Sequence, residues 1–346
     1  MNKIEILARI RKALETCKDP LFFYDDDPDG LASFLLLYKF AKKGKGIVLK
    51  VAYGSDEDLI LRKIDEYKPD SVFILDRAVV DQDIVDQINI PTYLIDHHGP
   101  QKIQGATYFN PLLFDPKDSR PTSYWCYKVV KENLWIAMTG TVADWCVLQD
   151  LKKDFIKSYP GYLGRINDPA KALHETKVGQ LARIFWFCLK GKTSQVNKCI
   201  NTLVKIDDPK EILEQTTPRG KYIYKYYAKI NRNYETLLHD AEKCYKKKDP
   251  LLVFTYTPTS MSLTAILANE LLYKYPEKII IIARQNSDKV IMSLRSAKHP
   301  ILSMLKIVLG KVNGYGGGHT LACGATVDQT QFKEFIRMIR ESIKKR

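Results

Sequence analysis

The sequence predicts an α/β protein: a parallel-sheet first domain, a smaller C-terminal α/β domain and an active cleft between them. Two observations carry the first domain. Short apolar runs alternate with helical patterns between residues 20 and 98, as βαβ units require. Three of those runs end in an acid, at Tyr24-Asp25, Leu75-Asp76 and Ile95-Asp96. A third observation carries the second domain, because a strand-helix-strand pattern restarts after the basic stretch at 246–250.

Taken in order, the N-terminus is an amphipathic helix with Ile4, Ile6, Leu7, Ile10 and Leu14 at helical spacing. A strand follows at 21–25, then a helix at 31–44 closed by Gly44 and a strand at 47–53. The pattern continues with a helix at 56–67, a strand at 71–76, a helix at 80–88 and a strand at 91–98. Residues 121–200 read as mainly helical, with Thr139-Gly140-Thr141 breaking the apolar segment 135–150. Trp125, Trp135, Trp145 and Trp186 read as core or domain-interface residues rather than base-stacking platforms. The span 218–234 is a helix, with Thr217 as cap and Pro218 in its first turn. Ile223, Tyr227, Ile230 and Tyr234 form its apolar face, opposite Lys221, Lys225, Lys229 and Arg232. The C-terminal pattern is a strand (251–256), a helix (262–275), two strands turning at 285–288, a helix (300–309), the glycine-rich segment 313–327 and a final helix. These boundaries give domains at 1–190 and 249–346 joined by a helical linker at 191–248.

The chain of 346 residues suffices for two domains and carries a formal net charge of +14. Residues 1–150 hold 19 basic and 23 acidic groups, whereas 151–346 hold 35 and 17. The basic half suits a polyanion such as nucleic acid, and equally a solvated lysine-rich surface. No run of about 18 apolar residues occurs, which argues against a membrane partner. The charged N-terminus does not read as a signal peptide. Seven scattered cysteines without a Cys-x-x-Cys pair suit a reducing interior, so a cytoplasmic location is expected.

Residues 24–30, Tyr-Asp-Asp-Asp-Pro-Asp-Gly, place four carboxylates at a strand-to-helix turn. Capping and the helix dipole account for one or two of them. Alternating Asp25, Asp27 and Asp29 instead suit a hard divalent cation. In a parallel sheet, Asp76 and Asp96-His97-His98 converge on the same edge. Mixed carboxylate and imidazole donors favour Mn²⁺ or Fe²⁺ over Mg²⁺. Asp144, inside an apolar segment, needs a partner that a metal would supply. The donors suffice for two ions about 3.5–4 Å apart, the arrangement that clamps both oxygens of a phosphoryl displacement.

The blocks Asp25-x-Asp-x-Asp-Gly30, Asp76, Asp96-His97-His98 and Gly140-Thr-Val-Ala-Asp144 resemble, in order, motifs one to four of the DHH phosphoesterase family. Gly316-Gly317-Gly318-His319, followed by Ala322 and Gly324, resembles the signature of the associated DHHA1 domain, and Ser293-Leu294-Arg295-Ser296 its phosphate-contacting strand. That family includes RecJ-like exonucleases, nano-RNases and cyclic-dinucleotide phosphodiesterases. The resemblance implies Asp25, Asp27, Asp29, Asp76, His97 and Asp144 as ligands of two divalent ions, Mn²⁺ ahead of Mg²⁺, with Asp76 bridging. It implies Asp96 orienting a histidine, and His98 at the scissile phosphate or the leaving oxygen. Arg295, Ser296, Gly316, Gly317, Gly318 and His319 would bind substrate. Arg77, directly after Asp76, adds a cation beside the acids.

The function so implied is Mn²⁺-dependent hydrolysis of single-stranded DNA, RNA or short oligonucleotides from an end. Two alternatives stand beside it: a phosphodiesterase or phosphatase for cyclic dinucleotides or nucleoside bisphosphates, and an inactive replication-complex scaffold. A homodimer or a replication or repair protein completes the partners considered.

Overall fold

The computed structural model describes residues 2–50, 57–257 and 261–344. The expected strand residues 51–53, the expected helix start at residue 56 and the last two residues of the final helix lie outside these. The chain divides into two compact units, Met1–Tyr226 and Tyr227–Arg346.

The first unit begins with α1 (Lys3–Thr16), β1 (Pro20–Asp25), α2 (Pro28–Ala41), β2 (Lys45–Leu49) and α3 (Glu57–Tyr67). It continues with β3 (Ser71–Leu75), α4 (Gln82–Gln87), β4 (Thr92–Ile95) and the short β5 (Thr107–Phe109). The helices α5 (Thr122–Val130), α6 (Leu134–Ala143), α7 (Gln149–Ser158), α8 (Pro169–Glu175), α9 (Lys177–Cys188), α10 (Thr193–Leu203) and α11 (Lys210–Leu213) follow. The division between the units falls within α12 (Pro218–Glu242). Thr217 caps that helix as expected, its Oγ1 accepting from the Gly220 N–H at 3.1 Å.

The five strands form one parallel sheet in the order β2-β1-β3-β4-β5. Alternation along the strands builds its two faces. Phe22, Phe73 and Tyr93 occupy facing positions of β1, β3 and β4, and their rings stack at 5.1 and 4.9 Å. This aromatic row is a cross-strand ladder, and Phe34 of α2 packs on it. Leu21, Phe23, Val72, Ile74 and Leu94 face the other way, against Ile60 of α3 and Ile84 and Val85 of α4.

Helix α2 is buried from Pro28 through Leu37, which explains its near-continuous apolar sequence. It ends at Lys42 in the left-handed region (φ 58°), not at Gly44 as expected. Gly44 is needed for a different reason, since its φ is 93° and a Cβ would lie 2.1 Å from the Pro20 carbonyl oxygen. The Thr139-Gly140-Thr141 break also does not occur, and α6 runs through it. Gly140 serves close packing there, because a Cβ would sit 2.7 Å from Ala32 and 2.5 Å from the Ser123 hydroxyl.

The second unit contains β6 (Leu251–Tyr256), α13 (Thr264–Lys274), β7 (Ile279–Asn286), β8 (Lys289–Ser296), α14 (Ile301–Leu309), β9 (Gly314–His319), β10 (Ala322–Asp328) and α15 (Phe332–Lys344). Its mixed sheet has the order β6-β7-β8-β10-β9, with β6 and β7 parallel and the other pairs antiparallel. Ile279, Ile281, Met292 and Leu294 pack beneath Met304 and Leu305 of α14 and Phe335 and Ile339 of α15.

Phe73 is fully buried between two stacked rings. Phe73→Ala is therefore expected to lower unfolding free energy by about 3–5 kcal/mol, read as a shifted urea midpoint.

Candidate metal centre

The acids converge because of strand register. Tyr24 pairs with Leu75, and Leu75 pairs with Ile95. The next residue of each strand is an aspartate, so Asp25, Asp76 and Asp96 form one row at the carboxyl edge. The strand order reverses between β1 and β3, and a parallel sheet opens a crevice at such a point.

Asp27 precedes α2 and caps it, accepting the Gly30 N–H at 2.9 Å. Asp29, one residue into the helix, is 2% exposed and reaches across to α5. Its carboxylate accepts the N–H groups of Thr122 at 2.8 Å and Ser123 at 3.2 Å, together with the Ser123 hydroxyl. The residue at the α5 N-cap is Pro121, which has no capping side chain. Asp29 supplies that cap from a distant part of the sequence.

Asp76 sits in the left-handed region (φ 58°) and is 2% exposed. Thr122 Oγ1 donates to its Oδ1 at 2.9 Å. His97 brings the next group together, its Nε2 lying 3.6 Å from Asp76 Oδ1 and 3.7 Å from Asp144 Oδ2. The other ring nitrogen, Nδ1, is 3.4 Å from the Ser119 carbonyl oxygen. A proton on Nδ1 directed at that carbonyl leaves the Nε2 lone pair facing the two carboxylates. Asp118, beside Ser119, is anchored by Lys3 at 2.9 Å and by Arg120, which steadies the segment carrying that carbonyl.

Asp96 is held to His98, with Oδ1 2.8 Å from Nδ1 and Oδ2 accepting the His98 N–H at 3.0 Å. Asn110 Nδ2 donates to the same carboxylate at 3.3 Å. The two imidazoles lie 4.5 Å apart.

Crowded and largely buried carboxylates leave the centre short of positive charge. Burial, then the repulsion of Asp29, raises Asp27 despite the Gly30 N–H. Burial and the neighbouring aspartates likewise push Asp76 and Asp144 well above the ordinary range. Asp25 rises to about 6 through burial and Asp27, against the opposing pull of Arg77. For His98, burial works against the charge, but the Asp96 hydrogen bond and surrounding aspartates outweigh it and lift the ring to about 9. A divalent cation would reverse these pressures on the carboxylates.

The donors fit such an ion. Asp76, His97 and His98 have ligand atoms within 4.8 Å of one another, and so do Asp29, His97 and Asp144. Asp25 and Asp27 belong to neither group. Arg77 Nη1 lies 2.5 Å from Asp25 Oδ1, so the guanidinium already neutralises that carboxylate. A second cation, Lys190, is 2.9 Å from Asp26.

Thr122, Ser123, Ser119 and Asn110 complete the centre and are not among the sequence-derived candidates. The Pro121-Thr122-Ser123 helix start is a readable signal, but its pairing with Asp29 spans more than 90 residues and leaves no local trace.

The C-terminal candidates lie in the second unit. Arg295 is half-buried, with Nε donating to Asn269 Oδ1 at 2.7 Å and Nη1 to the carbonyls of Leu294 and Cys323. Ser296 is 2% exposed, and its Oγ accepts the N–H groups of Lys298 and His299. Gly316, Gly317, Gly318 and His319 are exposed and lie in the edge strand β9. Gly318 has φ 137°, and a Cβ there would meet the Ala322 carbonyl oxygen at 2.4 Å.

Comparison with known proteins agrees with this architecture. Residues 249–345 match the family profile of the DHHA1 domain. No curated protein sequence matches the chain. Among solved structures, RecJ of Thermus thermophilus in complex with Mn²⁺ superposes with a TM-score of 0.71 at 15% identity. That match covers 99% of this chain and 54% of the Thermus protein, so the chain spans about half its length. A manganese-bound exonuclease RecJ gives 0.66 at 15% identity, covering 98% of this chain and 93% of the other. A pGpG-specific phosphodiesterase of Vibrio cholerae gives 0.54 at 13% identity, with coverage of 94% and 99%. Residues 249–345 thus match a DHHA1 domain, and the chain has the RecJ fold along its described length.

Proposed function

We propose that this protein is a metal-dependent phosphodiesterase that hydrolyses single-stranded DNA or RNA, or short oligonucleotides, from an end. The observation that carries the reading is the approach of His97 Nε2 to both Asp76 and Asp144, with Nδ1 turned to a backbone carbonyl. A carboxylate-imidazole set built around the buried Asp76 serves no evident packing purpose, and the charge of that acid is expensive to bury without a cation.

Asp25, Asp27, Asp29, Asp76, His97 and Asp144 would hold the ions, two in number, with Mn²⁺ preferred because imidazole shares the donor set. When bound, they would neutralise the phosphate and lower the pKa of water. The remaining work falls to the chain. Asp96 fixes the tautomer and orientation of His98, which would hold the scissile phosphate or give a proton to the leaving oxygen. In the second unit Arg295, Ser296, His319 and the Gly316–Gly318 backbone would bind a substrate phosphate. The basic residues of the second half, 35 against 17 acidic, would attract the rest of the strand. Seven unpaired cysteines support a cytoplasmic setting, and no described helix is long and apolar enough to cross a membrane.

A Mn²⁺ digestion series on end-labelled DNA and RNA, from dinucleotide to about a helical turn, together with cyclic dinucleotides, tests the reading. Trimming of every length is the exonuclease outcome, and cleavage confined to dimers through pentamers is the oligonucleotidase one. Cleavage of cyclic dinucleotides alone would replace both with the small-substrate reading, and hydrolysis of nothing would favour a scaffold. His97→Ala should cut hydrolysis by at least about a hundredfold. The same substitution should diminish the rise in melting temperature that Mn²⁺ is expected to produce in the native protein. Arg77→Met should tighten Mn²⁺ binding by about tenfold in calorimetry, because it removes a cation 2.5 Å from Asp25. Unchanged or weaker binding would count against Asp25 as a ligand.

A further inference from the structure

Trp145 occupies a position that folding alone does not favour. Helix α6 ends with the Cys146 N–H bonded to the Thr141 carbonyl at 2.8 Å and the Trp145 N–H to that of Val142 at 3.1 Å. This double bond pattern is a Schellman motif, and Asp144 is the C-cap. The following residue adopts the left-handed conformation and is usually glycine. Here it is Trp145, with φ 55°. A β-carbon in that region costs about 1–2 kcal/mol.

The indole is only partly buried. Trp145 is 38% exposed, whereas Trp125 and Trp135 are 3% and 1% exposed. Its ring contact is edge-on to His174, with centroids 5.9 Å apart. An exposed tryptophan alone needs no explanation. An exposed tryptophan on strained backbone, one residue after a metal-centre carboxylate, does. Strain of this kind gathers at functional sites, and Asp76, the other left-handed residue in the centre, is an example.

We infer that Trp145 is a stacking platform for the nucleobase beside the phosphate held at Asp76, His97 and Asp144. The inference rests on the phosphodiesterase reading and narrows its substrate to nucleotides bearing an unpaired base. The 38% exposure departs from the core half of the sequence-based expectation for Trp145. A flat, apolar ring suits a base because every base offers a π face, so stacking gives affinity with little sequence preference. Trp145 would act on binding and leave the chemistry to the carboxylates and histidines.

The test combines binding, kinetics and stability. A trinucleotide and its counterpart with an abasic site beside the scissile phosphate are titrated into wild type, Trp145→Ala, Trp145→Phe and Trp145→Gly, with Ca²⁺ replacing Mn²⁺. Stacking predicts that Trp145→Ala weakens the trinucleotide by roughly 10- to 100-fold, that Trp145→Phe restores most of the loss, and that the abasic ligand binds all four alike. With Mn²⁺, KM should rise in Trp145→Ala with kcat changed far less. Trp145→Gly should melt no lower than wild type, since glycine relieves the backbone. Equal trinucleotide binding by wild type and Trp145→Ala overturns the inference and leaves the phosphodiesterase reading intact. A melting temperature several degrees lower in Trp145→Gly overturns it too, because the ring would then be structural. Wild-type binding without hydrolysis overturns the phosphodiesterase reading and leaves stacking in place, and no binding at all overturns both.

Discussion

The register between β1, β3 and β4 is the constraint on which the rest depends. It lines up Tyr24, Leu75 and Ile95, and thereby forces Asp25, Asp76 and Asp96 into one row. A slip of one residue would turn the aromatic row to the opposite face and scatter the acids. The stacked Phe22, Phe73 and Tyr93 resist that slip, so the same interaction that fixes the sheet also aligns the centre. Burying several carboxylates together is unfavourable, and the surrounding protein answers mostly with local donors rather than charge. Thr122, Ser123 and the Gly30 N–H serve Asp76, Asp29 and Asp27. Arg77 gives the first acid of the series a direct counter-charge. What these groups leave uncompensated is charge that a cation would balance.

Much of this is legible in the sequence, and the reasons differ by element. The βαβ alternation and the acid at each strand's end are local patterns, and both appear in the structure at the expected places. Strand β5, three residues long, is too short to show a period. Gly44 and Gly140 read locally as helix punctuation, the usual meaning of glycine in a sequence. Their roles are a sharp turn against Pro20 and a close helix contact against Ala32 and Ser123, both set by tertiary approach. The glycine-rich segment 316–318 has no strand signature in the sequence and is a paired edge strand, because β10 supplies backbone partners that no local pattern reveals.

The centre divides in the same way. Acid and histidine types are readable, since few residues suit a hard cation. Their division of labour is not. Asp25 is engaged by Arg77, Asp27 caps its own helix, and Asp29 caps another. Capping and metal binding compete as explanations of one acidic cluster in the sequence, yet the structure assigns hydrogen-bonding duties to acids that also stand beside the candidate ligands. Trp145 shows the limit from the other side. It lies in the stretch 142–148, apolar but for Asp144, which suggests burial, but helix termination leaves it partly exposed.

The double duty of Asp29 has an evolutionary consequence. Its carboxylate holds the first turn of α5 as well as facing the metal centre. On the proposed catalytic reading, a descendant without activity would be free to lose Asp144, whose side chain is partly exposed, and Asp25 together with its arginine. Asp29 would stay under purifying selection for foldability alone. Retention of that aspartate in a relative is therefore poor evidence of activity, and the fate of Asp144 and His97 is the more faithful record of whether a lineage still turns over substrate.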